Sequence, residues 1–383
     1  MSAGFAISSA DAFHLGVANN HVGCLWLLDT MPAQGALEAC SERLARANPR
    51  MRASYRHEEN CWRELPEFDP AGQVVHAPPS LDMAAMLARL ASFYVEPLLE
   101  GRPPWRAILL PIEGQGPALC FLAHHAFTDG VRGFHLARAF AGIDPPGKTQ
   151  ARAGGTSIRA VAEMLRASIA DMLRPGAHAL PKPQDSGTRL FRSAIIPAGI
   201  VQSAVRKSAV GRADLLACAF AEGIARTAGA RAVRLMVPRD VGSGVGGGNA
   251  FLPELRNFRL GTAGGIRSAS LPRTLETRAA ADRLRMSILA RLPVPLAANG
   301  YHRWANSFDA LCTILPNLFT NASIAGSRVI SAFGVPPLIW RQPLSAAMIT
   351  GRRDTSLFLA SDPAAIDSAD ILAETLRVIE AMA

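Results

Sequence analysis

The stretch that decides the fold runs Phe121-Leu122-Ala123-His124-His125-Ala126-Phe127-Thr128-Asp129-Gly130. It begins inside an apolar run, Ala118 to Ala123, which is typical of a buried strand. Two histidines follow, and a short polar segment then leads to a run from Val131 to Ala141 with helical periodicity. The pattern therefore predicts a strand, a loop and a helix, with the histidines held at the rigid end of the strand.

His125 is the residue in this stretch best suited to chemistry. The pKa of a histidine lies near neutrality, so its ring can take a proton from a hydroxyl or an amine as that group attacks a thioester. Asp129 can fix the loop by accepting backbone donors, or an arginine from the other half of the chain, and Gly130 allows a tight backbone path where a Cβ would clash. The alternative is a pair of structural histidines with Asp129 capping a helix.

Metal binding by these side chains is not predicted. Neighbouring residues of a strand point to opposite faces, so His124 and His125 cannot easily share an ion. We therefore expect no metal site, and we expect His124 to be structural or supporting.

Strands and helices alternate in both halves of the chain, which indicates an α/β fold. We expect a first domain over residues 1–150, a crossover linker with one helix over 151–188, and a second domain over 189–383. Strands are predicted at 23–28, 107–110, 118–123, 232–237 and 356–360, and helices at 35–48, 81–96, 131–141, 157–173, 213–228, 275–289 and 368–382.

The composition is that of a globular enzyme with a basic surface. Of the 383 residues, 49% are hydrophobic and 19% are charged, and the net charge is +9. Such a charge attracts coenzyme A phosphates, acidic carrier proteins, anionic lipids or nucleic acid, although scattered arginines can also be merely solvated. No Lys/Arg-rich block interleaved with aromatic residues occurs, so a nucleic-acid partner is not expected.

The cellular compartment of the protein is predicted from three patterns that the sequence lacks. The six cysteines form no Cys-x-x-Cys pair, the first residues lack the pattern of a signal peptide, and no apolar run approaches the roughly 18 residues of a transmembrane helix. We therefore expect a cytoplasmic protein with reduced thiols and no transmembrane segment.

The segment His124 to Gly130 resembles the HHxxxDG motif of the coenzyme A-dependent acyltransferase superfamily. That superfamily includes chloramphenicol acetyltransferase, the condensation domains of nonribosomal peptide synthesis and the bacterial wax ester synthase/diacylglycerol acyltransferases. The chain is most similar to the last group, whose opening, PLW and PVSLR…GN segments resemble residues 7–13 with 21–23, 102–106, and 237–241 with 248–249. The NVPGP-like and SYNG-like segments are only faintly matched by residues 320–326 and 349–352, which argues against a wax or triacylglycerol product.

The resemblance implies two chloramphenicol-acetyltransferase-like domains with a substrate tunnel at their interface. In it, His125 is the general base and Asp129 is mostly structural. The donor is acyl-CoA or the phosphopantetheine thioester of an acyl carrier protein, the acceptor is a small alcohol or amine, and no cofactor is tightly bound. The alternative function is a condensation-domain-like catalyst, or a non-catalytic module, in a natural-product assembly line.

Three further residues are candidates for the tunnel or for the stabilisation of an oxyanion. Trp105 lines the tunnel or packs in the core, as buried aromatic residues commonly do. Asn249 donates to a substrate or caps a strand. Asn321 stabilises the developing oxyanion through its amide or serves only in a turn.

Overall fold

The described part of the chain covers most of both halves. The computed structural model describes residues 4–7, 11, 14–15, 20–97, 101–143, 162, 179–182, 186–208, 210–240, 251–260, 266–268, 305–339 and 342–383. The helices are α1 (Ala36–Ala47), α2 (Met83–Tyr94), α3 (Gly130–Phe140), α4 (Ala198–Ser208), α5 (Arg212–Thr227) and α6 (Ser368–Met382). The strands are β1 (Gly4–Ala6), β2 (His21–Leu28), β3 (Ala53–Arg56), β4 (Cys61–Glu64), β5 (Val74–His76), β6 (Trp105–Leu110), β7 (Ala118–His124), β8 (Leu190–Pro197), β9 (Ala232–Asp240), β10 (Phe251–Leu260), β11 (Ile266–Ser268), β12 (Ala310–Pro316), β13 (Ser323–Ile324), β14 (Ser327–Val335), β15 (Leu344–Thr350) and β16 (Asp354–Ser361).

Two large sheets carry the fold. The first has the order β13-β14-β2-β7-β6-β5, and the second has the order β11-β10-β9-β12-β15-β16-β8. A small third sheet, β1-β4-β3, lies beside the first. In the second sheet β12 is parallel to β9 and β15, whereas the other pairs are antiparallel. Helices pack against both large sheets, so the predicted α/β class is confirmed.

The two halves of the sequence are joined by β14. This strand belongs to the second half of the chain, yet it pairs antiparallel with β2, from Val335 opposite Gly23 to Val329 opposite Leu28. The Ser356 hydroxyl in the second sheet also donates to the Ala332 carbonyl at 2.5 Å. The predicted boundaries at 150 and 188 remain a prediction, while residues 327–335 belong to the first sheet.

A shared hydrophobic core fills the contact between the two large sheets. Phe333 on β14 packs against Phe358, which in turn contacts Phe191 on β8. Tyr94 at the end of α2 closes this cluster, because its ring lies against Phe191 and its hydroxyl donates to the Pro336 carbonyl at 3.1 Å. Burial of large aromatic side chains of this kind stabilises a fold strongly, so the halves form one packed unit.

Most of the predicted elements are present where periodicity placed them. The helices predicted at 35–48, 81–96, 131–141, 213–228 and 368–382 are α1, α2, α3, α5 and α6, and the predicted strands are β2, β6, β7, β9 and β16. Helices predicted at 157–173 and 275–289 lie outside the described residues, apart from Ala162. Within the described ranges, the helices fall short of the length and apolarity that a bilayer crossing requires.

Candidate active site

The two adjacent histidines lie where β7 ends. His124 is the last residue of the strand, and its backbone N–H donates to the Pro104 carbonyl at 2.8 Å. His125 follows, and its N–H donates to the Asn20 carbonyl at 2.7 Å. The rings have different neighbours, as expected for consecutive residues in an extended strand. His124 meets the edge of His21 at a centroid distance of 5.2 Å, whereas His125 stacks on another ring.

That other ring is His14. The centroids of His14 and His125 are 3.9 Å apart, and the ring planes are inclined by 27°. Asn20 holds both residues, since its side-chain amide donates to His14 Nδ1 at 2.7 Å and its carbonyl accepts the His125 N–H. The fully buried Asp11 completes this polar group. His14 and Asn20 therefore hold the ring and the backbone of His125 in place.

Burial sets the protonation state of His125. The residue is only 3% exposed, and this desolvation lowers its pKa to about 4. A hydrogen bond with the backbone of His125 and the charge of Asp11 both raise the pKa, so they partly offset the effect of burial. The ring is therefore neutral at neutral pH, and a neutral imidazole has a nitrogen lone pair that can accept a proton.

His124 is also neutral, but it is engaged within the protein. Burial, and then the neighbouring His125, lower its pKa to about 3. Its Nδ1 accepts a hydrogen bond from the Ala126 N–H at 3.2 Å. This bond ties the ring to the turn that follows the strand, which fits the expected supporting role.

Asp129 caps α3. Its Oδ1 accepts from the Arg132 backbone N–H at 2.7 Å, and the Arg132 guanidinium lies 4.0 Å from Oδ2. The side chain is buried, so the cap fixes the start of the helix and with it the loop that carries His125. The capping that was the structural alternative for Asp129 is thus present, and an arginine partner from the other half of the chain stays a prediction.

The expected steric need for glycine is absent at Gly130. Among the described residues, no atom would lie within 4 Å of a Cβ built there. Close approach instead occurs at Gly23 on β2, where a Cβ would lie 2.1 Å from the Phe121 carbonyl oxygen. The prediction that a Cβ would clash at Gly130 is therefore wrong. The glycine that a close contact requires is Gly23, where the pairing of β2 with β7 brings the Phe121 carbonyl near.

The structure brings only some of the remaining candidates close to the histidines. Trp105 is a core residue, 4% exposed, whose Nε1–H donates to the Met51 carbonyl at 2.8 Å, and it also borders a cavity of about 80 Å³ next to His21. Asn321 lies in the turn before β13 with φ of 61° and lines a cavity at the other end of β14. Asn249 lies outside the described residues.

The arrangement can perform proton transfer in a desolvated setting. A buried neutral imidazole at a strand end, with its backbone and its ring face fixed by neighbours, is suited to general-base work. Within the described ranges, no cluster of three or more His, Cys, Asp or Glu side chains is placed to hold a metal ion. Sequence reasoning missed the roles of Asp11, His14 and Asn20, although all three lie in or directly beside residues 7–13 and 21–23, which resemble the family's opening.

Comparison with known structures agrees with this fold. The chain is similar to the wax ester synthase/diacylglycerol acyltransferase from Marinobacter aquaeolei, with a TM-score of 0.63 and 15% identity over 99% of this chain and 98% of the other. It is also similar to the starter condensation domain of rhizomide synthetase in complex with C8-CoA and Leu-SNAC, with a TM-score of 0.62 and 15% identity over 99% and 93% of the two chains. The two-domain chloramphenicol-acetyltransferase-like fold is thus confirmed.

Sequence comparison gives the family. A Mycobacterium tuberculosis protein whose assigned name is diacylglycerol O-acyltransferase is 36% identical to this chain over 87 residues. The matched residues cover 22% of this chain and only 18% of that relative's length. The profile of the wax ester synthase/diacylglycerol acyltransferase catalytic domain matches residues 12–235, a span that contains His14, His124, His125 and Asp129. The chain belongs to the wax ester synthase/diacylglycerol acyltransferase catalytic-domain family.

Proposed function

We propose that the protein transfers an acyl group from a thioester to a hydroxyl or an amine, with His125 as the general base. The observation that carries this proposal is the buried, neutral ring of His125, fixed at a strand end by Asn20 and His14. Family membership and the fold of the similar structures support the same class of reaction.

The chemistry needs no covalent intermediate on the protein. His125 takes the proton from the acceptor as its oxygen or nitrogen attacks the thioester carbon. The tetrahedral intermediate then collapses, the carbon–sulfur bond breaks, and the imidazolium returns the proton to the departing thiolate. The ring ends neutral, and the products are an ester or an amide and a free thiol. Holding donor and acceptor together in a water-poor site contributes much of the rate.

The donor in this proposal is coenzyme A in preference to a carrier protein. A complex of C8-CoA with the similar starter condensation domain supports a coenzyme A thioester as co-substrate. The weak match to the NVPGP-like and SYNG-like segments favours a small acceptor over a long-chain alcohol or a diacylglycerol.

Condensation-domain-like amide formation is the second candidate. It is favoured by a TM-score of 0.62 with the first condensation domain of the calcium-dependent antibiotic synthetase, nearly equal to that with the wax ester synthase. A panel of acyl-CoA donors, offered separately with alcohols and with amines and analysed by mass spectrometry, tests both candidates. Ester products support the first, amide products support the second, and the absence of any acylated product across the panel would count against acyl transfer.

A further inference from the structure

The loop that carries His125 is packed into the protein through the side chain of Phe127. Phe127 lies two residues after His125, and its backbone N–H donates to the His124 carbonyl at 2.9 Å. Its ring is buried, and the ring of Trp62 on β4 meets it at a centroid distance of 5.3 Å and an angle of 78°. A buried aromatic ring with fixed neighbours leaves a short loop little freedom. A group that holds Phe127 therefore also limits where the ring of His125 can lie.

A guanidinium group, that of Arg50, covers a face of this ring. The Cζ atom of Arg50 lies over Phe127, 4.9 Å from the ring centroid, which is within the range of a cation–π contact. Among the residues that the structure describes, no acceptor lies within hydrogen-bond distance of Arg50 Nε or Nη2, although both atoms are buried. The guanidinium is therefore held by the aromatic face and by charge, and not by hydrogen bonds from these two atoms.

The backbone that carries Arg50 is firmly placed. Arg50 belongs to a 3₁₀ turn, Pro49–Arg52, between α1 and β3. The Asn48 side chain accepts from the Arg50 N–H at 3.2 Å. The carbonyl of Met51, a fully buried residue, accepts from Trp105 Nε1–H at 2.8 Å. The proline at the start of the turn restricts the backbone further, so the guanidinium extends from a fixed part of the chain.

A fully buried carboxylate, Asp11, balances the charge of Arg50 and also acts on His125. Burial lowers the pKa of Arg50, and the charge of Asp11 acts to raise it. For His125, whose pKa falls chiefly through burial, the charge of Asp11 also acts to raise the pKa. Arg132, which lies beside Asp129 at the start of α3, acts on Arg50 in the opposite direction. Arg50 therefore belongs to a network of charges around the loop of His125, and such charges interact strongly where water is excluded.

We propose that Arg50 is a positioning residue for His125, which it holds through the ring of Phe127 and through the carboxylate of Asp11. The inference rests on the proposed acyl transfer and adds to it a residue that acts through other residues. A general base works within about 2.6–3.2 Å of the proton it removes, and a small displacement can lower the rate by up to about 10²-fold. Loss of the cation leaves the loop packed but less firmly placed.

The test separates the charge of Arg50 from its volume. Arg50→Met keeps a long apolar side chain without the charge, Arg50→Lys keeps the charge, and Arg46→Met, at an exposed arginine on α1, is the matched control. We expect Arg50→Met to lower kcat about tenfold with little change in KM. Its thermal unfolding midpoint should stay close to the wild type, because the buried unpaired N–H groups are lost together with the contact. Arg50→Lys should recover most of kcat, and the control should match the wild type. Wild-type kcat in Arg50→Met, or equal losses in Arg50→Met and Arg50→Lys, would overturn the proposal.

Phe127 provides a second variant on the other side of the same contact. Phe127→Leu removes the aromatic face and keeps an apolar side chain in the loop, so it should lower kcat with little change in KM. The double variant Arg50→Met/Phe127→Leu should be little worse than Arg50→Met alone, because both changes remove one contact. Losses that multiply in the double variant would show that the two residues act independently and would contradict the proposal. If Arg50→Met does not fold, a folded Phe127→Leu protein with wild-type kcat has the same consequence.

Labelling of His125 by diethyl pyrocarbonate gives a measurement that needs no turnover. The residue is 3% exposed and should react slowly, whereas the exposed His76 reacts readily and serves as the internal reference. We expect Arg50→Met to raise the labelling rate of His125 several-fold, located by tandem mass spectrometry, since a less firmly held ring meets solvent more often. Faster labelling in a protein that forms no acylated product would keep the positioning role and lose the acyltransferase assignment. Wild-type rates of acyl transfer and of labelling in Arg50→Met would keep the assignment and lose the positioning role.

Discussion

The imidazole rings of His14 and His125 lie face to face, 3.9 Å between centroids and inclined by 27°, in a fully desolvated setting. Burial lowers the pKa of His14 well below its usual value, so its ring is neutral when His125 accepts a proton. A neutral aromatic face beside an imidazolium is stabilising, as in other cation–π contacts. In the proposed mechanism, His14 therefore positions His125 and stabilises its charged form.

Replacement of His14 tests this relationship. We expect His14→Ala to lower kcat about three- to tenfold, because an aromatic pair is worth about 0.5–1.5 kcal/mol beyond its buried area. KM should change little. His14→Phe retains an aromatic face and should recover most of kcat in steady-state assays. A phenylalanine variant as impaired as the alanine variant would mean that the ring nitrogens, not the stack, are what matter.

His124 should matter for folding more than for chemistry. Its ring contacts His21 and accepts the Ala126 N–H, so His124→Ala leaves a buried donor without its partner. We expect a loss of about 1–3 kcal/mol in the free energy of unfolding, measured by urea denaturation, with residual activity in the folded fraction. A stable His124→Ala protein without activity would transfer the role of base from His125 to His124.

Asp129 offers a comparison of cap and charge. Asp129→Ala removes the bond from Oδ1 to the Arg132 N–H, and loss of such a cap costs about 0.5–2 kcal/mol. Asp129→Asn keeps a capping oxygen but loses the charge, so it should retain most of the thermal stability. If asparagine destabilises the protein as much as alanine does, the charge of Asp129 contributes more to stability than its capping hydrogen bond. That outcome is expected if Asp129 pairs with an arginine from the second half of the chain.

Stability should fall as the solution is acidified below about pH 6.5. The pKa values of His124 and His125 are lowered to about 3 and about 4 in the folded protein. Between those values and 6.5 the unfolded chain binds protons that the folded chain does not. Each histidine therefore lowers the free energy of unfolding by about 1.4 kcal/mol for every pH unit of acidification in this range. Urea denaturation from pH 7 to pH 5 measures the slope, and His125→Gln should reduce it. An unchanged slope in that variant would contradict a buried neutral His125.

Local sequence patterns predicted the elements around the site well. The apolar run before His124 gave β7 and the following periodicity gave α3, because both signals arise from residues that are neighbours in the chain. The strand end that carries His125 was correctly located for the same reason. Strands β14 and β15 were missed, because serine, glycine, arginine and threonine interrupt their apolar residues and leave no continuous apolar run of the kind that marked β7.

The relationships that complete the site depend on distant parts of the sequence. His14 lies 111 positions before His125, and no periodicity links them. Likewise, the pairing of β14 with β2 joins residues 327–335 to a sheet built from the first half of the chain. Such contacts are fixed by packing of the whole chain, so a single sequence points to His125 as a candidate base but not to the ring that stacks on it.

The most direct test of the central claim is the rate of acyl transfer by His125→Ala, measured by mass spectrometry with a donor and acceptor that the wild type uses. His76→Ala, at an exposed histidine on β5, is the matched control. Removal of a general base typically costs about 10²–10⁴-fold, so we predict a loss of that size with a thermal unfolding midpoint close to the wild type and full activity in the control. Transfer by a folded His125→Ala protein within a few-fold of the wild-type rate would contradict the assignment of His125 as the base.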